Sequence, residues 1–187
     1  MDAFFIKYNL LQDDLAKIGY KKVLGWKELD DLMEDRLRKS DNHGESSLSY
    51  NIIRKNVVGF PTEFEIIFRC KSIIGVEDME KPRKPIFGYL HKMRILLPFN
   101  YPSADGNPIF TFITDIWHPN VRHAGPFKGH VCLARREMGV LISLKDMVLR
   151  IERLLMYYNF NLLNPEDKEV AKWVMEEAVP NGWIHAY

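Results

Sequence analysis

The apolar positions along the chain change period twice. Phe4, Tyr8, Leu11, Leu15 and Ile18 recur at helical spacing, with Gly19 as a stop signal. Leu29, Leu32, Met33 and Leu37 share one face of a second helix, with Asp30, Asp31, Glu34 and Asp35 off it. Residues 39–47, KSDNHGESS, are polar with a glycine and predict a loop. Beyond them the period becomes two. In TEFEIIFRCK, residues 62–71, Phe64, Ile66, Phe68 and Cys70 alternate with Glu63, Glu65, Arg69 and Lys71, the pattern of a half-buried strand. GYLHKMRILLP, residues 88–98, predicts another, with Tyr89, Met93, Ile95 and Leu97 on one face and Lys92 and Arg94 on the other. PIFTFIT, residues 108–114, is rich in strand-forming side chains. NIIRKNVV, residues 51–58, predicts a strand before these, and the charged, proline-bearing EDMEKPRKP, residues 77–85, a connecting loop. Short links favour an antiparallel meander over parallel units, which need long crossovers.

After Cys132 the helical period returns. Leu144, Met147, Val148, Ile151, Leu154, Leu155 and Tyr158 form one apolar stripe, and Ser143 to Asp146 fits a capping box at its start. A last helix is predicted from Asn164-Pro165-Glu166-Asp167, with Asn164 as the cap, a proline in the first position and acids in the first turn. Val170, Trp173, Val174 and Ala178 would face the core, and Pro180-Asn181-Gly182 would end it. The order is helix, helix, about four strands, a long irregular stretch, helix, helix, which is an α+β pattern.

Composition narrows this only a little. With 187 residues, 47% of them hydrophobic, the chain suits one domain with a sizeable core. A net charge of +1 points to neither nucleic acid nor a membrane surface as a partner. No apolar run approaches the roughly 20 residues of a membrane helix, and the N-terminal stretch lacks the basic flank of a signal peptide. Two cysteines, Cys70 and Cys132, are no disulfide framework, so a reducing cytoplasm is the expected setting.

The candidate chemistry lies in WHPNVRHAGPFKGHVCL, residues 117–133, where the sheet pattern gives way to helices. Cys70 shares the apolar face of a strand and reads as an inert core thiol. Cys132 follows a glycine-bearing loop, and His130, Arg135 and Arg136 beside it could favour thiolate, the nucleophilic form. On local sequence alone it could equally be a packed core residue. His118, His123, His130 and Cys132 are conceivable zinc ligands, though their spacing is unlike the paired C-x2-C or H-x3-H arrangements of structural zinc sites. A cysteine protease would need a histidine base, and no local protease signature is present.

The same residues resemble the core motif of ubiquitin-conjugating enzymes, H-P-N-[IV], then a loop, then G-x-[IV]-C-L. Here these are His118-Pro119-Asn120-Val121 and Gly129-His130-Val131-Cys132-Leu133. Leu97 to Pro102, LPFNYP, is similar to the family's F-P-x-x-Y-P. Pro108 and Phe112 match its P-x-x-x-F, and Met147 to Leu155 looks like the helix after the active site. Asn161, Pro165, Glu169 and Ala171 fit the family's last loop and helix. The resemblance covers residues 47–178 in order. It implies a UBC-like fold, a four-stranded antiparallel meander packed on helices, over residues 26–187, with residues 1–25 a helical N-terminal extension. It implies a thiol that carries ubiquitin or a ubiquitin-like protein as a thioester, is loaded by an activating enzyme, and discharges to a lysine amine of a target. Cys132 would be the carrier. Asn120 would stabilise the oxyanion or hold the loop that shapes the site. His118 would brace the turn and Pro119 would fix the backbone between them. No metal or bound cofactor is implied. A non-catalytic binding module of the same fold, or a zinc-stabilised domain, are the competing readings.

Several positions depart from the family pattern. The loop RHAGPFKG, residues 122–129, is longer than is common. Met138 to Ser143 stands where relatives carry a tryptophan-serine-proline run, and Ser103-Ala104-Asp105 stands where they carry an aromatic. Both places normally contact ring-type ligases, so such a ligase is not expected as a partner. Asn164 stands where many relatives have an acid or serine. These departures suggest a divergent member, of the kind found in bacterial ubiquitin-like conjugation operons with an antiphage role.

Overall fold

The structure, a computed structural model, describes residues 29–32, 34, 47–57, 59, 61–78, 80–99, 101, 106–133 and 143–185. The N-terminal helix read from Phe4 to Ile18, Arg135 and Arg136 therefore lie outside the described residues.

In chain order the strands are β1 (Ser47–Lys55), β2 (Pro61–Arg69), β3 (Ser72–Val76), β4 (Pro85–Gly88), β5 (His91–Leu96) and β6 (Ile109–Phe112). The helices are α1 (Leu144–Leu155) and α2 (Lys168–Trp173), the latter running on into a π-helical turn, Val174–Ala178. Four strands form one antiparallel sheet in the order β1-β2-β5-β6, the expected meander, and β3 and β4 form a separate two-stranded ribbon. The register puts apolar residues opposite one another. Tyr50 pairs with Ile66, Phe64 with Ile95, Ile66 with Met93, and Ile95 with Phe110. Because strand side chains alternate, the other face collects Glu65 opposite Arg94 and Arg94 opposite Thr111. That alternation makes one face a core wall and leaves the other to water.

Helix α1 covers the apolar face. Leu144, Met147, Val148, Ile151, Leu154 and Leu155 are buried in one cluster with Phe64, Ile66, Met93, Ile95 and Phe112. Ser143 caps the helix, its hydroxyl accepting the Asp146 N–H at 3.0 Å. Leu29 and Leu32, on a helical segment at residues 29–32, close the same core, while Asp30, Asp31 and Glu34 are exposed. A second cluster gathers Ile73, Trp117, Tyr157, Val170, Trp173, Val174, Ala178 and Ile184 beneath the ribbon. The charged loop of residues 77–84 is tied to it by Glu177, which accepts from the Arg83 N–H at 2.6 Å and the Arg83 guanidinium at 3.0 and 3.2 Å. The Trp173 indole N–H donates to the Arg83 carbonyl at 3.0 Å.

Four sequence expectations need correction. β1 begins at Ser47, earlier than the predicted Asn51, and ends at Lys55, because Leu48 also fills the core face. Residues 72–76 and 85–88, unassigned apart from Pro85, read as loop, and Gly88, read as the start of the next strand, pair as the ribbon. The strand predicted from Gly88 starts at His91, since the chain turns at residues 89–90; Tyr89 is exposed and His91 buried. The stripe of α1 ends at Leu155 and does not reach Tyr158. Tyr157 adopts φ 59°, left-handed backbone that stops the helix and turns its own ring inward while Tyr158 faces water.

Gly129 closes the edge of the sheet. Its φ is +84°, and a Cβ there would lie 2.1 Å from the Phe112 carbonyl oxygen. A backbone atom cannot yield as a flexible side chain can. Gly129→Ala is expected to lower unfolding free energy by about 3 kcal/mol, from overpacking plus unfavourable left-handed backbone. Urea denaturation checks this, and a loss below about 1 kcal/mol would mean the edge rearranges freely.

Candidate active site

The stretch after Trp117 is a short hairpin added to the edge of β6. Val121 pairs with Val131, and Thr111 on β6 pairs with His130. The Arg122 N–H donates to the His130 carbonyl at 3.0 Å, and the Gly129 N–H to the Arg122 carbonyl at 2.7 Å. The Val131 N–H reaches the Phe110 carbonyl at 3.1 Å. The chain thus leaves at Asn120, turns through the lengthened loop, and returns at Cys132, whose N–H donates to the Asn120 carbonyl at 2.9 Å. Two residues twelve apart in sequence become cross-strand neighbours.

Asn120 binds in two directions. Its Nδ2 donates to the Cys132 carbonyl at 3.2 Å, and its Oδ1 accepts the Asn161 N–H at 3.0 Å. Its own N–H donates to His118 Nδ1 at 3.1 Å. His118 is fully buried against the Tyr157 ring, centroids 4.6 Å apart. Burial drives its pKa down to about 3, only partly opposed by the Asn159 backbone, so the imidazole is neutral and Nδ1 is an acceptor. It sits as a brace with no access to solvent. The Tyr157 hydroxyl donates to the Trp117 carbonyl, tying the end of α1 to the start of the motif. The Pro119 carbonyl accepts the Asp167 N–H at 2.9 Å.

Cys132 is half-buried and free of disulfide; Cys70 is buried, its pKa pushed up to about 11 chiefly by burial. Cys132 is pushed in the same direction, first by desolvation and second by the negative charge of Glu166. Both effects oppose thiolate, while Arg135 and Arg136, on which the expected thiolate bias rested, lie outside the described residues. Among the described residues the dominant neighbouring charge is an acid, and its partner Arg122 is engaged with that acid at 2.8 and 3.2 Å. His130 Nδ1 lies 3.7 Å from the same carboxylate oxygen.

The helix cap is also corrected. Asp167, not Asn164, caps α2, accepting from the Glu169 and Val170 N–H groups at 3.2 Å. The Asn164 N–H instead donates to Asn161 Oδ1, beside that of Leu163, in a local turn. The other Asp167 oxygen accepts the His123 N–H at 3.0 Å and meets His123 Nδ1 at 2.6 Å. These bonds hold the carboxyl below its ordinary pKa, outweighing its burial. Glu166 and Asp167 were residues that sequence reasoning could not place. The signal for Asp167 was present, since it stands three residues before the buried Val170, the spacing of a cap. Of the four histidine and cysteine zinc candidates, His118 braces the turn, His123 meets Asp167, His130 faces Glu166, and Cys132 lies opposite Asn120. Among the described residues no group of three or more potential ligands is placed to hold a metal, and no helix is long and apolar enough to cross a membrane.

No protein-family model matches the chain. Ubiquitin-conjugating enzyme E2 S of Danio rerio is 30% identical over 123 residues, which are 63% of this chain and 48% of that protein. The chain thus matches about half the length of this curated relative. Among solved structures, the E2 domain of a Toxoplasma gondii ubiquitin conjugating enzyme superposes with a TM-score of 0.50 at 21% identity, covering 81% of this chain and 86% of that one.

Two outcomes follow from the electrostatics. The folded His118 pKa lies below its unfolded value near 6.5. The unfolded chain therefore takes the proton first, and stability falls as pH drops below about 6.5 toward 3, by up to about 1.4 kcal/mol per pH unit from this group. His91, lowered chiefly by burial, acts with the same sign. Urea melts at pH 7.5 and 5 should show a shallower pH dependence in His118→Gln; equal slopes would contradict the buried neutral state. Glu166→Gln should lower the Cys132 pKa and speed its alkylation by iodoacetamide near neutral pH, because it removes a negative charge and frees Arg122. An unchanged or slower rate would exclude the electrostatic coupling.

Proposed function

We propose that this chain, which has the UBC-like fold, carries ubiquitin or a ubiquitin-like protein as a thioester on Cys132 and transfers it to an amine, ordinarily a lysine, of a target. The observation that carries this reading is the pairing of a half-exposed thiol with Asn120 across the hairpin, in the motif order of the ubiquitin-conjugating enzymes. An activating enzyme and the modifier are the partners it requires.

In loading, the Cys132 thiolate attacks the thioester carbonyl on the activating enzyme. A new C–S bond forms, the tetrahedral oxyanion collapses, and the enzyme's thiolate leaves. In transfer, a deprotonated amine attacks the Cys132 thioester, the C–S bond breaks, and Cys132 leaves as thiolate while the nitrogen loses its proton to solvent. Asn120 has a second N–H beyond the one given to the Cys132 carbonyl, and it is suited to hold the oxyanion. His118 is committed as a brace, so proton removal falls to other groups. The raised thiol pKa keeps Cys132 quiet at rest, which limits side reactions and requires the loading encounter to favour thiolate. That same observation favours a second reading, a non-catalytic binding module. Origin in an antiphage conjugation operon is a further proposal. It is tested by whether genes for a ubiquitin-like protein, an activating enzyme and a deconjugating protease adjoin this one.

Incubation with the activating enzyme, modifier and ATP, followed by a non-reducing gel, separates the two functional readings. A thiol-sensitive adduct should form, vanish in Cys132→Ala, and become a reductant-resistant ester in Cys132→Ser. Asn120→Ala should load nearly normally and discharge to lysine about 100-fold more slowly, the scale of a lost oxyanion donor. Absence of an adduct with a verified partner set favours the binding module.

A further inference from the structure

The lengthened loop places His123 far from the thiol in sequence, yet at the joint that holds the site together. Its backbone N–H and ring Nδ1 converge on one oxygen of Asp167, at 3.0 and 2.6 Å. Its ring packs on Trp117, centroids 4.8 Å apart, and its Nε2 lies 3.6 Å from Glu169. Asp167 in turn donates its N–H to the Pro119 carbonyl, one residue before Asn120, and uses its other oxygen to cap α2. The chain of contacts therefore runs from the loop through Asp167 to the peptide that carries Asn120.

We propose that His123 is a positioning residue for the transfer step: by clamping the Asp167 carboxylate it fixes the Pro119–Asn120 peptide, and so the angle at which Asn120 meets the Cys132 thioester. This rests on the thioester reading above. The clamp adds to other bonds at the same joint. The cap of α2 uses the other Asp167 oxygen, and the His123 backbone N–H ties the loop without the ring. Removing the ring loosens an orientation more than it removes a support. Orientation is where small displacements cost rate, since a misplacement of about 1 Å can cost on the order of 100-fold. A short contact between an imidazole and an ionised carboxylate is among the stiffer hydrogen bonds available for this.

The test bypasses the activating enzyme. Ubiquitin bearing a C-terminal mercaptoethanesulfonate thioester exchanges onto Cys132, Cys70 being buried. Discharge of the loaded protein to free lysine is then followed. Wild type should discharge faster than the same thioester on a free cysteine derivative. His123→Ala should be slower by about fivefold, with a thermal midpoint close to wild type. Asp167→Asn, which keeps a capping side chain, should show a similar loss. His123→Asn, whose amide can donate to Asp167, should recover most of the rate. On an Asn120→Ala background, His123→Ala should cost nothing further, because the two act in series. Wild-type discharge by His123→Ala, or an additive loss on the Asn120→Ala background, overturns the proposal while leaving the thioester reading standing. Wild type discharging no faster than the free cysteine thioester overturns the thioester reading itself.

Discussion

The Asn120 side chain uses both ends of its amide on backbone, and the region around Cys132 is organised by that bond pair. One end holds the Cys132 carbonyl, the other holds the Asn161 N–H. Asn120 lies on a segment that links two apolar cores, Trp117 belonging to the one with the β3–β4 ribbon and Val121 to the one under the four-stranded sheet. The segments that meet there come from an edge hairpin, from the end of α1 and from the start of α2. The last two are joined by one connection, residues 156–167, which carries Asn161 and Asp167 to the hairpin. Both Asn120 bonds are partly buried, and a partly buried amide is costly to leave unpaired.

The same arrangement explains why His118 is a brace and not a base. A histidine can be removed from water without losing stability at neutral pH only if it stays neutral, and a neutral ring can accept the Asn120 N–H. The hairpin then has two levels of restraint. Inside, backbone bonds fix Asn120 against Cys132. Outside, Arg122 and His123 in the long loop reach Glu166 and Asp167 at the start of α2. The exposed Arg122 pair contributes little to stability by itself, but it holds Glu166, whose charge adds to burial in raising the Cys132 pKa. The length of the loop is thus matched to the two acids that precede α2.

Much of this was legible in the chain. Alternation in residues 62–69 and helical spacing from Leu144 to Leu155 marked the sheet and its covering helix, because burial on one face leaves that signature. The motif residues 118–121 and 129–133 marked the candidate site, and the fold brings Asn120 and Cys132 together there. The ribbon escaped, since SIIGV and PIFG are short and their pairing is long-range across a charged loop. Tyr157 escaped because left-handed backbone at a non-glycine residue has no local signature. Asp167 was overlooked in favour of Asn164, since both are good caps and only the packing of Val170 decides between them. The acid beside Cys132 also escaped. Only the fold brings Glu166, more than thirty residues downstream, near enough to add its negative charge to the effect of burial on the thiol.

The central claim is that Cys132 holds a protein modifier by its C-terminus. The most direct measurement is mass spectrometry of the native protein, isolated from its own cells under acidic, non-reducing conditions and digested without thiols. The account predicts a peptide containing Cys132 that bears the C-terminal remnant of a ubiquitin-like protein and loses it on treatment with hydroxylamine, while Cys70 is unmodified. A Cys132 peptide recovered only as the free thiol, from cells in which the modifier's activating enzyme is charged, would contradict it.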